Sequence, residues 1–178
     1  MNEQPATLQS SKVARRVVAD GTYCEVACAV LADGVTSPAS DLLDQLDEAM
    51  WPDPEVDQLP DERQTRHRSR LISLCEALAD GDDLPAGSWN ALPEGMLELK
   101  VDGIRVTFYD TDGHGNYSSA APEYTDRWDG TRQPVLPIDD FQEHIRLGHC
   151  FPKTTQKTTM KDIQRSQQVR EEDVSHDR

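Results

Sequence analysis

The chain has 178 residues, of which 36% are hydrophobic and 29% are charged, and its formal net charge is −15. This length and composition fit a single globular domain, and the sequence has no run of about 18 apolar residues that could span a membrane. Strong acidity argues against nucleic-acid binding unless the basic residues are gathered in one place.

The first half of the chain predicts a flexible tail, a strand and two helices. Residues 1–20 are polar and favour a flexible tail, and the lack of an apolar stretch behind a basic start favours a cytoplasmic protein over a secreted one. The apolar run 23–31 predicts a strand. Pro38, preceded by a serine, predicts the start of a helix, and a second helix is predicted over 61–79.

A hairpin and an insertion follow. Residues 96–101 and 104–109 alternate in polarity and are joined by Asp102-Gly103, which is a strong two-residue turn signal. Residues 110–141 are rich in Gly, Pro, Asp and Ser, so they predict a loop insertion within the domain.

The end of the chain predicts a last strand and a terminal helix. The strand covers 145–151, and Thr158 or Thr159 caps the helix that follows. Residues 171–178 predict a second flexible tail, which leaves 21–170 as the folded domain.

Charge is unevenly distributed along the chain. Between Asp41 and Glu62 there are nine acidic residues and no basic one, which indicates either a solvated surface or a docking surface for a basic partner. Residues 146–170 contain six basic residues and one acidic residue, a net charge of +5. A basic cluster on an acidic protein favours a polyanionic partner, with RNA the leading candidate.

Strand alternation divides the predicted sheet into an apolar face and a polar face. An ordinary solvated face is the simpler interpretation of the polar side, and a phosphate-binding face is the functional one. The alternation places His149 on the apolar face, where a buried, hydrogen-bonded histidine is expected. The cations and the tyrosine at or beside the polar face are Lys100, Arg105, Tyr109, Arg146, Lys153 and Lys157.

Two segments carry a resemblance to a known family: LPEGMLELKVDGIRVTFYD and RLGHCFPKTTQKTTMKDIQRS. With the element order strand, helix, helix, hairpin, strand and helix, the chain resembles the RelE superfamily of toxins, most closely the HigB-like, phage-derived branch of type II toxin–antitoxin systems. The matching positions are Glu98-Leu99-Lys100, Ile104-Arg105-Val106, and His149-Cys150-Phe151 followed by Lys153, Gln156, Lys157 and Thr158.

The resemblance implies an α+β fold, RelE-like, with a small, mainly antiparallel sheet, two N-terminal helices on one face and a C-terminal helix. It implies an endoribonuclease that cuts mRNA, commonly on the ribosome, without a metal or other cofactor. The attacking group is the 2′-hydroxyl of the RNA itself. The implied partners are mRNA and a helix-turn-helix antitoxin, with no membrane involved.

The same resemblance implies roles for individual residues. Arg105 and Arg146 would clamp the phosphate, and Lys153 or Lys157 would position the backbone and take part in proton transfer. His149 is a candidate general base. The residues implied in RNA binding are Lys100, Tyr109, Gln156, Lys161 and Arg165.

Two other interpretations stay open. The family's first arginine is Lys100 in this chain, and a lysine cannot form the same planar fork, so a catalytically inactive module that binds RNA, the ribosome or an antitoxin is the main alternative. A zinc site built from His144, His149 and Cys150 is the other, although the spacing is poor for that metal.

Overall fold

The computed structural model describes residues 13–54, 58–118 and 122–178, and within them the fold is α+β. The helices are α1 (Pro38–Asp47), α2 (Arg63–Asp80) and α3 (Met160–Ser175). The strands are β1 (Val17–Asp20), β2 (Glu25–Cys28), β3 (Trp89–Ala91), β4 (Leu97–Val101), β5 (Ile104–Thr111), β6 (Glu123–Asp126), β7 (Arg132–Val135) and β8 (His144–Pro152). The predicted fold class is confirmed at this level.

Six strands form one mixed sheet in the order β1-β2-β8-β5-β4-β3. The pair β2 and β8 runs parallel, and the other neighbouring pairs run antiparallel. Strands β6 and β7 form a separate two-stranded hairpin between β5 and β8. No helix in the described ranges combines the length and apolar character needed to cross a membrane.

Helices α1 and α2 pack on one face of the sheet and form the main core with it. The Ser37 hydroxyl accepts a hydrogen bond from the Ser40 N–H at 3.4 Å and caps α1, whose proline occupies the first turn. Gly81 ends α2 in the left-handed region at φ 74°. Each fully buried leucine in this core stabilises by roughly 1.5–3 kcal/mol. The buried leucines of the two helices are Leu42, Leu43, Leu46, Leu71, Leu74 and Leu78.

Helix α3 covers part of the opposite face, which the sequence predicted to be open. Its own residues Val169, Asp173 and Val174 are fully buried against the sheet, and Val174 packs with Met96 and Tyr109 in a second apolar cluster. The helix therefore contributes to the folded core.

The predicted position of His149 on the apolar face is wrong, because β8 contains a β-bulge. Val106 pairs with Cys150, whereas Phe108 pairs with Leu147, so β8 contains one more residue than β5 between these pairs. The extra residue reverses the alternation beyond the bulge. His149 consequently lies on the α3 face, and Cys150 packs against the main core instead.

The predicted boundaries of the domain are also too narrow. Residues 17–20 of the predicted N-terminal tail form β1, whereas residues 1–12 lie outside the described residues. Residues 171–175 of the predicted C-terminal tail continue α3, because Asp173 and Val174 are buried there. The predicted insertion 110–141 contains the β6–β7 hairpin in addition to loops.

Candidate nucleic-acid interface

A polar cleft opens where β4 and β5 meet the turn between β8 and α3. Lys100 and Arg105 come from the two strands, and Lys153, Gln156 and Lys157 come from the turn. Five of the ten residues predicted from the sequence therefore line one cleft, and they are supplied by three separate segments of the chain.

The strand register brings two cations together. Lys100 and Arg105 are direct cross-strand partners in the β4–β5 hairpin. Directly opposed like charges destabilise a sheet, because the β-carbons of such a pair lie only about 5 Å apart. An anion bound between the two side chains removes that repulsion.

The guanidinium of Arg105 is held in place by the backbone. Its Nη1 donates to the carbonyl oxygens of Asp102 at 2.7 Å and Ile104 at 2.9 Å. Burial lowers the pKa of Arg105, and the charge of Glu98 opposes that effect only in part. A buried cation that is fixed by neutral carbonyls gains from an incoming phosphate.

Within the described part of the chain, the cations of the cleft have no carboxylate partner. Among the described residues, no Asp or Glu oxygen is within 4.0 Å of a side-chain nitrogen of the cleft's lysines or of Arg105. Elsewhere in the described ranges most arginines do pair, and one buried example is Arg15 with Asp173 at 2.8 Å. Although the chain has 33 acidic residues, none of the described ones forms an ion pair with the cations of this cleft.

Two carboxylates mark the walls of the cleft. Glu98 is 2% exposed and accepts hydrogen bonds from Thr158 Oγ1 at 2.9 Å and Asn90 Nδ2 at 3.4 Å. Asp162 lies at the start of α3, where it accepts from Thr159 Oγ1 at 2.7 Å and its own N–H donates to the same hydroxyl. These hydrogen bonds fix both carboxylates in the wall.

His149 lies in a depression that adjoins the cleft. Its Nε2 is 3.0 Å from Asp162 Oδ1, and its ring stacks on Phe151 with centroids 5.2 Å apart. Burial lowers the pKa of His149, and the neighbouring Asp162 opposes the shift without overcoming it. Lys161 and Arg165, both predicted to bind RNA, line the same depression.

Two predicted site residues lie elsewhere, and the prediction was wrong for both. The side chain of Arg146 is 5% exposed, with Nε 3.7 Å from Asp173 Oδ2 and Nη1 3.6 Å from Glu25 Oε1. Tyr109 is fully buried and donates to Asp173 Oδ2 at 2.7 Å, and burial raises its pKa well above the usual value. Helix α3 covers both positions, so neither can reach a phosphate or a base.

Arg170, a member of the predicted basic cluster 146–170, is also buried. It is 1% exposed, donates to Glu94 O at 2.8 Å and lies 3.8 Å from the centroid of the Tyr117 ring. The local excess of positive charge in the sequence therefore overstates the number of cations that face solvent.

Sequence reasoning missed Asp162 and Glu98 as members of the site. The only prediction for the start of α3 was a threonine cap, and the pairing of Asp162 with His149 depends on the bulge. Gly148 was the available signal: a β-carbon there would lie 3.1 Å from Thr107 Oγ1, and glycine within a strand often marks a bulge.

The proposed zinc ligands do not converge. His144 Nδ1 lies 3.5 Å from Glu25 Oε1, while His149 and Cys150, as neighbours in a strand, point to opposite faces of the sheet. More generally, the part of the chain that the structure describes has no group of three or more His, Cys, Asp or Glu side chains arranged to hold a metal ion.

Comparisons with protein-family models, with curated proteins and with solved structures found no significant match to this chain.

Proposed function

We propose that this protein is an RNA-cleaving toxin of a type II toxin–antitoxin system, and that it binds the phosphates of its substrate in the cationic cleft. The resemblance in sequence suggests the activity, and the element order from β2 to α3 is compatible with it. The observation that carries the proposal is the cluster of unpaired cations around the opposed pair Lys100 and Arg105.

In the proposed reaction the 2′-hydroxyl attacks the adjacent phosphate and the 5′-oxygen leaves. Arg105 stabilises the charge that develops on the phosphorane-like transition state, because its guanidinium is already oriented by two carbonyls. Lys153 and Lys157 are exposed on a turn and position the RNA backbone.

His149 is the candidate for proton transfer. Its lowered pKa keeps the imidazole neutral near pH 7, so it can accept a proton from the attacking hydroxyl. The Asp162 carboxylate, 3.0 Å from Nε2 of His149, orients the ring and stabilises the imidazolium that forms. Lys157, on the turn, is a candidate donor to the leaving oxygen.

Binding without cleavage is the second candidate. The observation that favours it is the burial of Arg146, since the cleft then contains Arg105 as its one arginine among the described residues. Lysine contributes charge but lacks the planar fork that suits a phosphate, so transition-state stabilisation would be weaker.

The experiment is cleavage of a defined mRNA by purified protein, with and without ribosomes, in the presence of a chelator. We expect products with a 5′-hydroxyl and a 2′,3′-cyclic phosphate or 3′-phosphate. Arg105→Ala should lower the rate by roughly 100-fold or more, as expected when a main electrostatic stabiliser is lost. The matched control is Arg66→Ala, which removes an exposed arginine of α2 outside the cleft.

The outcomes separate the two candidates. Cleavage by the parent protein that survives in folded Arg105→Ala would place the active site elsewhere. RNA binding without cleavage, lost in Arg105→Ala, would establish the binding module instead.

A further inference from the structure

The β6–β7 hairpin presents aromatic side chains to solvent. Trp128, in the turn, is 99% exposed, and Tyr124 on β6 is 52% exposed. Exposure of a whole tryptophan gives up the burial that normally stabilises such a side chain. Core packing does not explain the exposure of Trp128. Trp51, by contrast, is only 6% exposed and packs in the main core.

A groove runs between this hairpin and the edge of the main sheet. Its wall on the sheet side includes Trp89 and Lys100, and its hairpin wall includes Arg127 and Arg132. Lys100 also lines the cationic cleft, so the groove and the cleft are continuous at that residue.

The hairpin combines cations with aromatic rings. The guanidinium carbon of Arg132 lies 5.6 Å from the centroid of the Tyr124 ring. Its ion pair with Asp126, at 3.5 Å, is weak because both side chains are more than 70% exposed. Arg127 donates to Gln133 Oε1 at 2.7 Å and lines the groove, and its charge is offset in part by Asp129 in the same turn.

We infer that the β6–β7 hairpin is a stacking platform for single-stranded RNA that leaves the cationic cleft. Arg127, Arg132 and Lys100 would follow the phosphates along the groove, while Trp128 and Tyr124 would stack on successive bases. Stacking of this kind tolerates any sequence, because every base has an aromatic face. This inference rests on the proposed function, since the strand that reaches the hairpin is the one bound in the cleft.

Alternative occupants of the hairpin fit the groove less well. A second copy of this acidic chain would bring net negative charge, and the apolar exposure at the hairpin is limited to scattered side chains. RNA supplies both the negative backbone and the flat rings. The continuity with the cleft through Lys100 also fits a strand that occupies both.

The test uses 2′-O-methyl oligonucleotides, which cannot undergo 2′-hydroxyl attack, in two lengths of about 4 and about 15 nucleotides. For the longer one, Trp128→Ala should weaken binding roughly tenfold, the loss expected for one stacked base. For the shorter one, which the cleft alone accommodates, affinity should change by less than about twofold. Val35→Ala, which removes an apolar side chain that is 83% exposed and lies outside the hairpin and the cleft, is the matched control.

Intrinsic fluorescence gives an independent readout. Binding of the longer oligonucleotide should quench the solvent-exposed part of the tryptophan emission, and Trp128→Phe should abolish most of that quenching while keeping an aromatic ring. Quenching that persists unchanged in Trp128→Phe would assign the contact to Trp89 and overturn the inference.

Failure of this inference can be distinguished from failure of the proposed function. If the parent protein binds the longer oligonucleotide and Arg105→Ala weakens it while Trp128→Ala does not, the platform is wrong and the cleft stands. If the parent binds neither oligonucleotide, both proposals fall. A Trp128-dependent dimer with unchanged RNA affinity would also overturn the platform.

Discussion

Loss of the Asp173 carboxylate is expected to destabilise the whole domain, because it is the central acceptor between α3 and the sheet. The residue is fully buried, and it accepts from Val30 N at 2.9 Å, Arg15 Nε at 2.8 Å and Tyr109 Oη at 2.7 Å. Arg146 lies 3.7 Å away. Asp173→Ala therefore removes the shared buried partner of two buried cations, so that Arg15 keeps only Asp177 and Arg146 keeps only Glu25.

The expected cost follows from that geometry. Breaking a buried ion pair by removing one partner costs about 3–5 kcal/mol, which is a large part of the roughly 5–15 kcal/mol that stabilises a typical domain. With a urea m-value of about 2 kcal/mol/M, the midpoint of unfolding should fall by roughly 1.5–2.5 M. The assay is equilibrium urea unfolding followed by circular dichroism.

Two further variants keep the test decisive. Tyr109→Phe removes one hydrogen bond to a charged acceptor and should cost about 1.5–3 kcal/mol, so it stays measurable even where Asp173→Ala fails to fold. Asp126→Ala removes an exposed pair with Arg132 and should cost no more than about 0.5 kcal/mol. A loss below about 1 kcal/mol in both Asp173→Ala and Tyr109→Phe would mean that α3 is not part of the core.

Three more predictions concern pH, charge and backbone packing. The pKa of His149 is lower in the folded state than its unfolded value of about 6.5, so its contribution to stability is present above pH 6.5 and is lost as the pH falls from there toward the folded pKa. Urea unfolding between pH 8 and pH 5 should show this loss of stability. The variant His149→Gln should make the pH dependence flatter. An NMR titration midpoint of His149 at or above 6.5 would contradict the assignment. Glu98→Gln should tighten RNA binding a few fold, because it removes a negative charge beside Arg105, and unchanged affinity by fluorescence anisotropy would count against the cleft. Gly21→Ala should destabilise by more than about 1 kcal/mol in thermal unfolding, since its β-carbon would lie 2.5 Å from the Ala79 carbonyl oxygen, and an unchanged melting temperature would disprove the close approach.

The parts of the fold set by local chemistry were predictable from the sequence. Ser37 and Pro38 specify the start of α1, and Gly81 specifies the end of α2. The Asp102-Gly103 turn fixes the register of the β4–β5 hairpin, with Asp102 at φ 49°. The same register brings Lys100 and Arg105 together, so this central pair of the candidate site was predictable from the sequence.

The parts set by distant contacts were not predictable in the same way. One extra residue in β8 moved His149 to the other face, and alternation alone cannot reveal where a bulge lies. The polar sequence of α3 gave no warning that Asp173 would be buried, because its partners Arg15 and Tyr109 are far away in the chain. The absence of Arg146 from the cleft was not predictable either, because it depends on the distant carboxylates Glu25 and Asp173.

The most direct test of the central claim is the salt dependence of RNA binding by the cleft. Lys153 and Lys157 are exposed on a turn, so Lys153→Ala/Lys157→Ala should fold normally. For a single-stranded oligonucleotide each lost phosphate contact lowers the slope of log K against log salt by about 0.7, which predicts a decrease of about 1.4 for the double variant and none for Arg66→Ala. An unchanged slope in the double variant, with the parent protein binding RNA, would contradict the account.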